Sequence, residues 1–199
     1  MNNTRKKRDV LSRGVTLVEL IVVLAVFVFI ILVTVSIFTS IIRDQRGILT
    51  EQELLNQTSY VTEYMSRTIR AAIKDTTGNC LSSSGDIYLL TYYDLASGFY
   101  NGIKFITENN ICQEFFLDTD GVLKEMKNGG SSQNILSDKF EIKYVRFIIN
   151  GDKSLDVASE SDSIQPRVTF AINVKVQTPL GQKEKITQTT ASWINLNFK

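Results

Sequence analysis

The sequence predicts an α+β protein: a long N-terminal helix, a transmembrane-length stalk at its start, packed on an antiparallel β-sheet head. Three observations carry that reading. The chain has 199 residues, 43% hydrophobic and 22% charged, which is an ordinary globular average, yet its apolar residues gather near the N-terminus. Beyond them, apolar residues recur at helical spacing. From Ile87 onward the pattern changes to short β-like runs divided by Gly, Asn and Ser. The chain therefore divides into a basic leader over 1–14, an apolar segment over 15–42, an outer amphipathic helix over 43–75 and a β-rich head over 76–199.

The leader carries Arg5, Lys6, Lys7, Arg8 and Arg13 against Asp9 alone. The apolar run from Val15 to Ile42 follows, with Glu19 as its one charge. At ~1.5 Å per residue it reaches roughly 42 Å, more than a ~30 Å hydrocarbon core needs. A secretory signal has a shorter apolar region of roughly 7–15 residues and then a small-residue cleavage site. Here Ser36 and Ser40 sit among β-branched neighbours and make a poor one. The basic flank favours a cytoplasmic N-terminus, which places residues after Arg43 outside.

A plain single-pass anchor explains length and orientation but not Glu19. An acidic side chain in mid-membrane costs on the order of 2.5–3.5 kcal/mol on insertion scales. The bland account is that Glu19 snorkels to the membrane edge. The sharper account gives it a partner: a cut between Gly14 and Val15 would create an ammonium group at Val15, one helical turn from Glu19. Amine and carboxylate would then neutralise each other in a low-dielectric bundle, and the helix N-terminus itself favours the negative charge.

The string RGVTLVELIVVLAVF, with Arg13, Gly14, Thr16, Leu17, Glu19 and Leu20, resembles the processing motif of the type IV pilin family, whose members undergo prepilin-type N-terminal cleavage and methylation. Val15 stands where that family usually carries phenylalanine, and the stalk lacks the proline common in major pilins. The resemblance covers about 30 residues directly. It implies that a prepilin peptidase cuts after Gly14 and methylates Val15, and that Thr16, Leu17, Glu19 and Leu20 serve assembly. The implied partners are that peptidase, other pilin or pseudopilin subunits, an inner-membrane assembly platform and membrane lipid. The implied location is the cytoplasmic (inner) membrane, crossed once with the C-terminal head outside, and then an extracytoplasmic filament. A weaker likeness, in YMSRTIRAA and the terminal TTASWINLNF, points to a minor pilin or a minor pseudopilin of type II secretion.

After Ile42 comes the polar collar RDQRG, where Gly47 is a predicted weak point, costing roughly 1 kcal/mol against alanine in a helix. Leu54, Thr58, Val61, Met65, Ile69, Ala72 and Ile73 then share one face, Glu63 and Arg67 form an i,i+4 pair on another, and Thr76, Thr77 and Gly78 stop the helix near Lys74. That face is read as packing against a sheet rather than as a partner groove.

In the head, strands are predicted over Ile87–Tyr93, Ile103–Thr107, Cys112–Leu117, Val122–Met126, Phe140–Ile149, Val168–Gln177 and Ile186–Leu196, the last including Trp193. Turns are expected at Asn109-Asn110, over Asp118–Gly121 and at Thr178-Pro179-Leu180-Gly181, with a loop from Asn128 to Gln133. Val168, Phe170, Ile172, Val174 and Val176 alternate, so one face of their strand is buried. Tyr88, Tyr92, Tyr93, Phe99 and Tyr100 are read as core or loop-packing residues.

The chain has no histidine, which excludes Ser-His-Asp and Cys-His catalysis and imidazole metal sites. Its two cysteines cannot form a four-cysteine zinc site. In an exported chain Cys80 and Cys112 are candidates for one disulfide; in a reducing compartment they are two buried thiols. Asp118-x-Asp120-Gly121 lacks the twelve-residue calcium-loop spacing and reads as a hairpin turn. Asp152, Asp156, Glu160 and Asp162 read as a solvated loop. No cofactor or metal is expected, and a net charge of +1 gives no specific nucleic-acid surface. The expected role is therefore a structural subunit, not an enzyme. The alternatives are a single-pass membrane-anchored extracytoplasmic binding or adhesion protein and, less supported, a tethered carboxylate hydrolase acting through Asp118 or Asp120.

Overall fold

The computed structural model describes residues 14–151, 165–178 and 181–194. Residues 1–13 with Arg13, the acidic stretch containing Asp152, Asp156, Glu160 and Asp162, and the turn residues Pro179 and Leu180 lie outside these. The chain divides into two compact units, one ending at Gln45 and the other beginning at Arg46.

The first unit contributes the start of helix α1, which runs Leu17–Arg70. From Val15 to Ile42 its large apolar side chains are all exposed, between 37% at Ile42 and 73% at Leu17. A surface this apolar is not stable against water, and the helix is long and apolar enough to cross a membrane. Two hydroxyls in this stretch are satisfied internally. Thr34 and Thr39 donate to the carbonyls of Ile30 and Val35, at 2.8 and 2.7 Å, so neither needs water.

The second unit is the rest of α1 against a sheet. Leu54, Thr58, Val61, Met65 and Ile69 are buried, one or two turns apart on one face. They meet a core whose largest fully buried members include Phe105, Phe115, Phe147 and Phe170. On the solvent side Glu63 and Arg67 pair at 3.1 Å. Gly47 does not interrupt the helix and is itself buried.

Among the described residues nine strands form one antiparallel sheet: β1 Ala72–Ile73, β2 Tyr88–Asp94, β3 Phe99–Thr107, β4 Cys112–Leu117, β5 Leu123–Lys127, β6 Gln133–Asn134, β7 Glu141–Asn150, β8 Arg167–Thr178 and β9 Gly181–Ser192. Their order is β6-β5-β4-β3-β7-β8-β9, with β1 and β2 also paired to β3. The hairpins turn where residues tolerate positive φ: Asn110 (φ 57°) between β3 and β4, Gly121 (φ 72°) between β4 and β5, and Gly181 opposite Thr178 at the β8–β9 turn. Along β8 the five alternating apolar residues from Val168 to Val176 are all buried.

Three features differ from the sequence expectation. The helix ends at Arg70 rather than near Lys74, because carbonyls at its end and just beyond it find partners from far along the chain. Tyr88 Oη donates to Ile69 O at 2.8 Å, Ile194 N to Arg70 O at 3.3 Å, and Trp193 Nε1 to Ala72 O at 2.7 Å. Ala72 and Ile73 then pair with Thr107 and Ile106 as β1. Trp193 lies just past β9, its ring buried, instead of inside the strand. Tyr92 and Tyr93 are about half exposed, at 49% and 53%, and Tyr100 is also open, so only part of the expected aromatic packing group is core.

Candidate functional site

The junction singled out in the sequence is local and open. Gly14, Val15 and Thr16 precede the helix and are exposed. Among the described residues a Cβ built on Gly14 would meet nothing within 4 Å, so their packing places no demand for glycine there. Thr16 is the N-cap: its Oγ1 accepts from Glu19 N at 3.3 Å and its carbonyl accepts from Leu20 N at 3.1 Å. Thr16-Leu17-Val18-Glu19 has the Ser/Thr-x-x-Glu form of a capping box, a further signal present in the sequence itself. Glu19 thus occupies the first turn, where the helix dipole favours a carboxylate. Leu17 and Leu20 begin the exposed apolar surface.

In the head, Cys80 and Cys112 are joined by a disulfide, with Cα atoms 5.7 Å apart. Beside it lies a residue that the sequence reading passed over. Asp75 is fully buried, and its carboxylate accepts from four backbone amides: Thr77 (3.0 Å) and Gly78 (2.7 Å) on Oδ1, Cys80 (3.0 Å) and Leu81 (2.9 Å) on Oδ2. Burial alone would raise its pKa. The four donors more than reverse that and hold it at about 2. The local signal was Asp-Thr-Thr-Gly, an Asx-turn pattern that folds the loop following β1.

A second cluster joins helix to sheet. Tyr64 Oη donates to Glu125 Oε1 at 2.6 Å, Gln113 Nε2 donates to the same oxygen, and Lys127 Nζ stands 3.2 Å from it. Burial, followed by the bond to Glu125, pushes the Tyr64 phenol above its ordinary range. Asp118 and Asp120 sit at the β4–β5 turn. The Asp118 carboxylate binds Lys124 and Thr119 N, and Lys124 in first place holds its pKa low. Among the described residues no three His, Cys, Asp or Glu side chains gather as a metal site.

The chain matches no protein-family model, no curated protein and no solved structure.

Proposed function

We propose that the protein is a prepilin-type structural subunit, cleaved after Gly14 and assembled into a filament of the type IV pilus or type II secretion pseudopilus class. The observation that carries this reading is Glu19. It is the one charge in the apolar run from Val15 to Ile42, whose large apolar side chains are all exposed, and it stands one turn beyond an open Gly14–Val15 bond. A lipid bilayer covers that apolar surface before assembly, and the helices of other subunits cover it afterwards. Cleavage gives Val15 an ammonium group, and Glu19 pairs with such an amine, in its own subunit or a neighbour's. The pairing removes the cost of a buried carboxylate and fixes the register of the bundle.

The head stays outside the membrane while the basic leader is cytoplasmic. The chemistry is done to this chain by a peptidase and N-methyltransferase. The minor-subunit assignment rests on the weaker likeness of the outer helix and terminal strand. The alternative, an uncut membrane-anchored binding protein, is favoured by the exposed tyrosines at positions 92, 93 and 100.

Gly14→Ala separates the two. Because a Cβ there meets nothing within 4 Å among the described residues, the substitution is expected to leave folding and membrane insertion intact, and any effect reports recognition by another protein. Loss of processing in cells carrying a prepilin peptidase supports the subunit reading. Unchanged size and function would support the uncut anchor.

A further inference from the structure

We propose that the Asp75 carboxylate is the template on which the Cys80–Cys112 bond closes: the turn from Asp75 to Leu81 folds around the carboxylate first, and oxidation then locks that turn to β4. The inference rests on the fold of the head and does not require the filament reading.

The two cysteines are 32 residues apart in sequence, and bringing such a pair together in a flexible chain carries a large loop-closure cost. Here each is placed by hydrogen bonds that involve no sulfur. On one side, two of the four amides held by Asp75 are those of Cys80 and its neighbour Leu81, so the carboxylate fixes the Cys80 backbone directly. The base of the same loop is closed by Asp75 N donating to Asp86 O (2.9 Å) and Gly85 N donating to Asp75 O (2.7 Å). On the other side, Cys112 is set by its register opposite Ile106 and by Asn128, whose Oδ1 accepts from Cys112 N at 2.8 Å and whose N donates to Cys112 O at 2.7 Å. The sulfurs therefore meet because two separately built backbones meet.

This arrangement makes the bond a redox lock added to a finished turn. Its location gives the lock consequence. The turn follows β1, where Ala72 O accepts from the Trp193 indole, so oxidation ties down the seam joining the helix end, β1 and the segment after β9. A recess of about 480 Å³, bordered by Cys80, Cys112, Asn110 and Asn128, admits an exchange partner. With a small disulfide such as oxidised glutathione, one cysteine thiolate attacks and releases one glutathione thiolate. The other cysteine then attacks the mixed disulfide and releases the second. Two protein thiols are oxidised and one external disulfide is reduced to two thiols.

The test uses the full chain in detergent, reduced and then exposed to oxidised glutathione, with thiols trapped by alkylation and counted by mass. Asp75→Asn presents an amide nitrogen to one pair of backbone donors. It is expected to slow closure by about tenfold or more, as loss of charge-assisted bonds implies, and closure at the wild-type rate overturns the proposal. In the Cys80→Ser, Cys112→Ser variant, the amides of Gly78 and Leu81 are expected to keep their protection from hydrogen exchange, because the carboxylate still holds them. Loss of that protection would show that the covalent bond builds the turn, and would overturn the proposal even where Asp75→Asn fails to fold.

Discussion

Replacing Tyr64 by phenylalanine removes one oxygen from the seam between helix and sheet and leaves the ring. The ring keeps its edge contact with Phe115, centroids 5.8 Å apart, and its stacking with Tyr60 at 6.2 Å. What is lost is the 2.6 Å bond to Glu125, a residue only 9% exposed. A hydrogen bond to a charged group contributes about 1.5–3 kcal/mol. Because Gln113 and Lys127 still reach the same oxygen, Glu125 is not orphaned, and the cost belongs near the lower end, about 1.5–2 kcal/mol. Denaturant unfolding of the full chain in detergent measures it. Trp193, the chain's one tryptophan, is buried against the head and reports its loss by fluorescence. In a Glu125→Gln background the same change should cost clearly less, since the acceptor is no longer charged. A loss below about 0.5 kcal/mol in the parent, the range of an ordinary surface substitution, or an equal loss in both backgrounds, would refute the view that this bond helps fasten the helix to the sheet.

Three further outcomes follow from the same geometry. Gly102→Ala would put a Cβ 2.4 Å from Thr91 Oγ1 and 2.7 Å from Tyr92 Cδ2. It should destabilise the head by about 1–3 kcal/mol in the same unfolding assay, as overpacking does. Asp75 predicts an acid limb. Its carboxyl has a usual value of 3.8 and sits at about 2 when folded, so its contribution is complete above the usual value and is lost as pH falls towards about 2. Acid unfolding of Asp75→Asn should accordingly be flatter across that window. Finally, Glu19→Ala should still be processed after Gly14 yet fail to enter filaments, scored by shearing and immunoblot; normal incorporation would remove the register role assigned to the charge.

Legibility in the sequence followed locality. The apolar span, the hairpin turns at Asn110 and Gly121 and the alternation along β8 are each set by a few neighbouring residues, and each stands where the pattern placed it. The end of the helix is different. Tyr88, which bonds Ile69 O, and Trp193, which bonds Ala72 O just past the helix, lie 19 and 121 residues from those carbonyls, so no local signal marks Arg70 as the last residue. Tyr92 shows a second limit. Period-two alternation would set Thr91 and Tyr92 on opposite faces, yet both side chains reach the space beside Gly102. A φ of 54° at Tyr92 breaks the alternation and stacks its ring on Phe116, centroids 4.8 Å apart. At the candidate junction, Thr16 and Glu19 were visible as a motif, and their capping geometry was visible as a spacing. Asp75 was legible as a turn former but not as a buried anchor, because its burial depends on how the loop to Ile87 closes over it.

The most direct test of the central claim is the N-terminal sequence and intact mass of the protein extracted from membranes of cells that carry a prepilin peptidase. A chain beginning at Val15, heavier by one methyl group than the unmodified product, is the predicted result. A chain that retains Met1 and its basic leader would contradict it and leave Glu19 as an incidental charge in a single-pass anchor.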